Sequence, residues 1–280
     1  MNTANIKKLI VRPFIYLMLA LLTVQSLYPV VWIVIGSLNP GNSLFSTRMI
    51  PENLTLVHYT ELFTKRQFGL WYVNTLKIAC ATTVLAVVFV IVTAYVLSQF
   101  RFKGRKAALM AMLVLQMFPA FMSLVAVFVL LNVIGLLDTH LGLILVYAGG
   151  AIPGGAWLVK GYFDGIPRSL PEAARIDGAS NSMIFTKIMM PLAVPILTFI
   201  AITNFIAPWM DFVLARLILR SAANKTLAIG LFELVNNGLS ATHFTTFAAG
   251  AVLVAIPITI LYMCFQKYLI QGLAEGASKG

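Results

Sequence analysis

Long, nearly uncharged apolar runs constrain this chain more than any other feature. A helix rises 1.5 Å per residue, so crossing a hydrocarbon layer of roughly 30 Å takes about 20 mostly apolar residues. About six stretches reach that length: Phe14 to Gly36, Asn74 to Leu97, Ala107 to Leu131, about Leu141 to Val159, Pro191 to Asp211 and Phe247 to about Phe265. Charged or turn-forming residues bound each one, and none alternates with the period of two that a membrane barrel requires. Only 10% of the 280 residues are charged and 60% are hydrophobic, against roughly a quarter charged in soluble domains. The expected fold is therefore all-α and membrane-embedded, a single transmembrane domain of six helices.

The apolar stretch after Lys7, Lys8 and Arg12 exceeds the 7–15-residue core of a signal peptide and lacks a small-x-small cleavage pattern, so it reads as a retained first span. That span, 1–36, can be accessory to a core at 74–267. Lys and Arg near span ends stay on the cytoplasmic side. With the amino terminus inside, the inner segments hold Lys7, Lys8, Arg12, Arg101, Lys103, Arg105, Lys106, Lys160, Arg168, Arg175, Lys187, Lys267 and Lys279; the outer ones hold Arg48, Lys65, Arg66, Lys77, Arg216, Arg220 and Lys225. This bias predicts both termini in the cytoplasm. It also accounts for the net charge of +11 through an anionic lipid surface, with no nucleic acid partner. Cys80 and Cys264 fall inside spans, where they imply no disulfide framework, and His58, His140 and His243 lack metal-ligand spacing.

The inner loop from Lys160 to Pro191 reads as two short helices. Ser169, Leu170, Pro171 and Glu172 have the order of a capping box, with Ser169 as N-cap. Gly178 suits a left-handed stop, and Ser180 or Asn181 can cap the second helix through Ile184, Phe185 and Ile188. A helical hairpin outside the bilayer that carries Ala173, Ala174, Ile176, Ile184 and Phe185 has apolar surface to bury, either on its own spans or on a partner. On the outer side, a short amphipathic piece near His58 to Phe63 and an apolar stretch from Leu227 to Val235, followed by Asn236-Asn237-Gly238, punctuate the loops.

The run Glu172-Ala173-Ala174, three residues, Gly178, nine residues, Ile188, two residues, Pro191 resembles the EAA loop of ABC-importer permeases. Met190 replaces the usual leucine, a volume-conserving change. Gln116-Met117-Phe118-Pro119, Lys160-Gly161-Tyr162-Phe163 and the tail from Gly272 to Gly280 extend the likeness, from about Asn74 onward, to the MalG type of maltose/maltodextrin permease. The resemblance implies a type I ABC importer permease fold in a bacterial cytoplasmic (inner) membrane. It also implies a MalF-like second permease subunit, two copies of an ABC ATPase and an external maltodextrin- or oligosaccharide-binding protein. ATP hydrolysis then belongs to the partners and this chain needs no cofactor, consistent with its lack of a G-x-x-x-x-G-K-[ST] phosphate loop.

On that resemblance the ATPase-coupling residues are Glu172, Ala173, Ala174, Asp177, Gly178, Ile188 and Pro191, within a loop at 164–190, and the tail at 271–280 inserts between ATPase subunits. Glu172 can serve the partner, the capping box or both. Polar residues inside spans are costly unless they face a cavity or another helix. Gln116, Thr203, Asn204, Trp209 and Asp211 are accordingly candidate pathway residues, with Tyr147 and Trp157 as further aromatic candidates; interhelical packing is the competing role. Asn236, Asn237 and Gly238 are the candidate contact with the binding protein. An ion-driven secondary transporter is the alternative, disfavoured because Asp211 is the lone acid near a span interior. An intramembrane enzyme finds no H-E-x-x-H or G-x-S-x-G.

Overall fold

A computed structural model describes residues 3–42, 51, 53–236 and 243–277, with side chains described from residue 11 to residue 267 except at 120. The described residues are helical with no strand. They form two compact units, one of residues 1–67 and 231–255, the other of 68–230 and 256–280.

In the first unit, α1 (Thr3–Ser37) is the first apolar run as one helix. Pro13 and Pro29 lie inside it, tolerated because membrane helices find other ways to satisfy freed backbone groups. Its side chains from Val11 to Tyr28 are exposed. The outer amphipathic piece is α2 (Val57–Thr64), as expected. His58, 2% exposed, bonds Thr246 at 3.0 Å through Nδ1 and the Asn39 carbonyl at 2.8 Å through Nε2, a structural role that leaves no ring nitrogen for a metal.

The second unit is built on α3 (Phe68–Gln99), the second run. The third run is not one helix. It divides into α4 (Arg105–Met117) and α5 (Leu124–Val133), with a 3-10 turn between them and a bend of 96° across the break. Pro119 supplies the reason: it has no N–H to donate and disfavours α geometry in the residue before it, and Phe118 accordingly takes ψ 130°. The fourth run is α6 (His140–Asp164). After the inner hairpin, the fifth is α10 (Val194–Met210), which starts three residues later than expected and is bent by 76° from the segment 181–192. Beyond α11 (Val213–Ile218) and α12 (Leu227–Asn236), α13 (Phe244–Ala277) carries the sixth run. The tail segment 271–277 continues this helix; residues 278–280 lie outside the described residues.

Small residues let the central helices approach. Ala86, Val90 and Ala94 of α3 and Ala148, Ala156 and Val159 of α6 are all fully buried. A Cβ on Gly155 would lie 2.7 Å from a Val90 methyl, so this crossing depends on glycine. Just before α6, Asp138 takes φ 56° and its carboxylate accepts from the N–H groups of Arg220 and Ser221 at 2.8 and 3.0 Å. His140 Nε2 meets the Asn224 carbonyl at 3.0 Å. Burial works to raise the Asp138 pKa, yet these hydrogen bonds, with those from Ser221 Oγ and Asn224, hold it below the usual carboxylate value.

Candidate functional site

The inner hairpin contains α7 (Ser169–Ile176), α8 (Asn181–Ile184), a π turn (Phe185–Met189) and α9 (Met190–Leu192). Its first cap differs from the expected one. Ser169 is the first helical residue, the N-cap is Arg168, and no side chain caps it. The capping box therefore does not form and leaves Glu172 exposed.

The stop at Gly178 is as expected and can be derived bond by bond. Gly178 has φ +85°; Ala179 N–H donates to the Ala174 carbonyl at 2.9 Å and Gly178 N–H to that of Arg175 at 3.1 Å. Those 6→1 and 5→2 bonds are a Schellman motif. Ser180, rather than Asn181, caps α8 by accepting from Met183 N–H. The π turn ends just before Pro191, which cannot donate to the carbonyl four residues back; the ladder widens there.

The hairpin has two faces. Ile184 and Met189 are buried in a cluster with Tyr95, Phe163 and Ile196, and Ala174, Ala179 and Phe185 pack against it. Tyr95 lies 4.7 Å from the Phe185 ring, and its hydroxyl donates to the Asn181 carbonyl. The opposite face is bare: Leu170 is 45% exposed, Met183 54% and Ile176 87%. Ala173, Asp177 and Gly178 are exposed with them, Ile188 is half-buried and Pro191 is exposed.

The pathway candidates separate. Thr203 and Asn204 line a cavity of about 290 Å³ with Gly154, Gly155 and Phe199. Both bond back to their own helix, Asn204 Nδ2 to the Ile200 carbonyl at 2.8 Å. Gln116 is not part of that lining, but its Oε1 lies 3.3 Å from where a Cβ on Gly154, which is, would sit. Trp209 does not line this cavity: it is 3% exposed, edge-on to Tyr72 at 5.3 Å and tilted against Phe205. Asp211 lies one residue before the N-cap of α11, accepts from Leu214 N–H in its first turn, and takes a 2.6 Å hydrogen bond from the Tyr147 hydroxyl. Trp157 donates to the Leu109 carbonyl. These aromatics and this acid thus hold helices together. Asn236 ends α12; Asn237 and Gly238 lie outside the described residues.

Residues 86–275 match the model of the family described as binding-protein-dependent transport system inner membrane component. The chain belongs to that family. It is 47% identical, over 95% of both chains, to the galactooligosaccharides transport system permease protein GanQ of Bacillus subtilis (strain 168). It is 40% identical over the same shares to the maltodextrin transport system permease protein MdxG of that organism, and 36% identical over 95% of both to the maltose/maltodextrin permease MalG of Escherichia coli (strain K12). Among solved structures, a bacterial ABC transporter for import of the acidic polysaccharide alginate contains a chain with a TM-score of 0.81 and 26% identity, covering 94% of this chain and 98% of that one. The fold is thus that of a type I ABC importer permease, a multi-pass membrane transport component rather than an enzyme.

Sequence reasoning missed the Asp138 cluster, because a left-handed aspartate leaves no periodic trace. Arg101, Arg105, Arg168 and Arg175 also line one hollow, a convergence signalled in the sequence only by their position near two span ends.

Proposed function

We propose that this permease forms half of the translocation pathway of an ATP-driven oligosaccharide importer, with the bare face of α7 and α8 as the docking surface for an ABC ATPase. The observation that carries the reading is the exposure of Ile176 at 87%, with Leu170 and Met183 also exposed, on a hairpin that buries Ile184 and Met189 in its own core. Exposed apolar groups clustered on a short polar-flanked hairpin outside the bilayer need a protein cover. Ala173 permits close approach there, and Glu172, freed from capping, offers a charge to a basic partner residue.

In this reading two ATPase copies drive the complex, a second permease of the MalF kind supplies the other half of the pathway, and an external binding protein delivers a neutral oligosaccharide of the maltodextrin or galactooligosaccharide kind. The names of the relatives support that cargo class. A neighbouring fold at 17% identity comes from a transporter in complex with an oligosaccharide-bound periplasmic protein. Both termini lie in the cytoplasm on the basic-residue bias. Gln116, Thr203 and Asn204 face the cargo, and Asn236, Asn237 and Gly238 meet the binding protein. Closing of the ATPase dimer is passed to the membrane helices through the hairpin, by Glu172, Ala173, Ala174, Asp177, Gly178, Ile188 and Pro191.

The test is uptake of labelled maltotetraose and of a galactooligosaccharide into proteoliposomes holding the complex. Uptake that requires ATP and the binding protein supports the reading. Uptake driven by a proton or sodium gradient through this chain alone overturns it.

A further inference from the structure

Beneath the inner ends of α3 and α6 lies a polar hollow of about 250 Å³, walled on one side by α7. Four arginines line it: Arg101 and Arg105 after α3, Arg168 at the head of α7 and Arg175 in its last turn. Two acids share the wall, Asp164 and Glu172. Asp164 is already engaged, by Lys160 and by a 2.7 Å hydrogen bond from the Ser98 hydroxyl. Among the described residues no ion pair within 4.0 Å joins any of the four guanidiniums to a carboxylate. Arg105 spends its Nε on the Leu97 carbonyl at 2.7 Å, which fixes it at the rim.

Like charges gathered around one hollow repel, and a planar guanidinium fork matches the oxygens of a phosphate. The hollow therefore presents a positive cradle in which Arg105 donates to the Leu97 and Ser98 carbonyls, while Arg101, Arg168 and Arg175 have donors to offer. Its level in the fold selects the occupant. Ser98 stands at the inner end of one span and Asp164 at the inner end of another, at the depth where headgroups of an anionic inner leaflet lie.

We infer that this hollow is a binding site for the phosphodiester of an anionic lipid headgroup, which bridges α7, through Arg168 and Arg175, to the end of α3, through Arg101 and Arg105. The bound headgroup ties the hairpin to the membrane surface. The inference does not require an ATPase and stands independently of the motor reading.

The experiment uses the full chain in a neutral detergent, with lipid retention read by native mass spectrometry and thermal stability read on adding phosphatidylglycerol, phosphatidylcholine or inorganic phosphate. The wild type is expected to retain phosphatidylglycerol selectively and to be stabilised by it alone. Arg168→Gln with Arg175→Gln should weaken retention by at least about tenfold, one charge-assisted hydrogen bond's worth, while Arg168→Lys with Arg175→Lys recovers part of it. Lys225→Gln, at the outer side, should change nothing. Three results overturn the inference: equal retention of both lipids, retention unaltered in the double glutamine variant, or equal stabilisation by inorganic phosphate, which would make a free anion the ligand. Because Arg168 and Arg175 are exposed, both variants should fold, which a wild-type melting profile without added lipid would verify.

Discussion

Gly178 offers a graded test of the coupling hairpin. Its φ of +85° is left-handed, yet a Cβ added there would meet nothing within 4 Å. Substitution therefore carries a backbone cost and almost no steric one. Left-handed geometry costs an ordinary L-residue roughly 1–2 kcal/mol, and asparagine less because its side chain hydrogen-bonds locally. The same residue organises the two Schellman bonds, Ala179 to Ala174 and Gly178 to Arg175, so the strain falls on the junction between α7 and α8. Gly178→Ala should lower the free energy of opening the hairpin by about 1–2 kcal/mol, which raises hydrogen exchange at the Ala179 amide by about 5- to 30-fold. Gly178→Asn should give a smaller increase and Gly178→Val a larger one, because β-branching tolerates this region worst. Exchange measured on the full chain in detergent should rank Gly, Asn, Ala, Val, and ATP-coupled uptake should fall in the same order. Equal exchange in all four would refute the assignment of the turn to backbone geometry.

Three further outcomes follow from particular contacts. Gly155→Leu drives a side chain into Val90, where a Cβ alone would already come within 2.7 Å; it should destabilise the α3–α6 pair by about 1–3 kcal/mol or more, read as a lower unfolding temperature in detergent. Asp138→Ala should expose the loop at 219–226 to proteolysis at neutral pH. In the wild type the folded-state pKa of Asp138 is depressed, so its contribution is present above the unfolded value of about 4 and is lost as pH falls through the lower folded value; loop protection should be flat from neutral pH to about 5 and fail only in stronger acid. Ile176→Ser should change the permease's own stability by no more than about 0.5 kcal/mol, as exposed positions do, yet reduce ATPase retention during purification.

Much of the fold is legible in the sequence because membrane spans obey one strong rule. An apolar stretch must hide its backbone hydrogen bonds, and α3, α6 and α13 each contain the expected run, though every one of them extends beyond it. The hairpin is legible for a different reason: Gly178 and Ser180 act through local backbone geometry, which needs no tertiary knowledge. What the sequence conceals depends on competition between local and distant partners. Ser169 and Glu172 have the spacing of a capping box, but α7 starts one residue earlier than that pattern requires, with Ser169 already helical and Arg168 at the N-cap. Pro119 sits in an apolar run like several other prolines, and nothing in the run itself marks it as the place where the backbone turns away, at the preceding phenylalanine. Trp209 and Asp211 carry polar groups suited to a pathway, yet Tyr72, Phe205 and Tyr147 claim them. The convergence of Gln116 on Gly154 beside Thr203 and Asn204 joins residues from three helices and has no sequence signature.

The most direct test of the coupling proposal is a crosslink. With Cys80 and Cys264 replaced, Ile176→Cys, on the bare side of α7, and Ile184→Cys, on the buried side of α8, would be placed in the assembled complex and treated with a thiol-reactive bifunctional reagent. Efficient crosslinks are expected from position 176 to the ATPase, altered by ATP binding, and none from position 184. Absence of any crosslink from 176, with ATP-driven uptake intact, would contradict the proposed coupling.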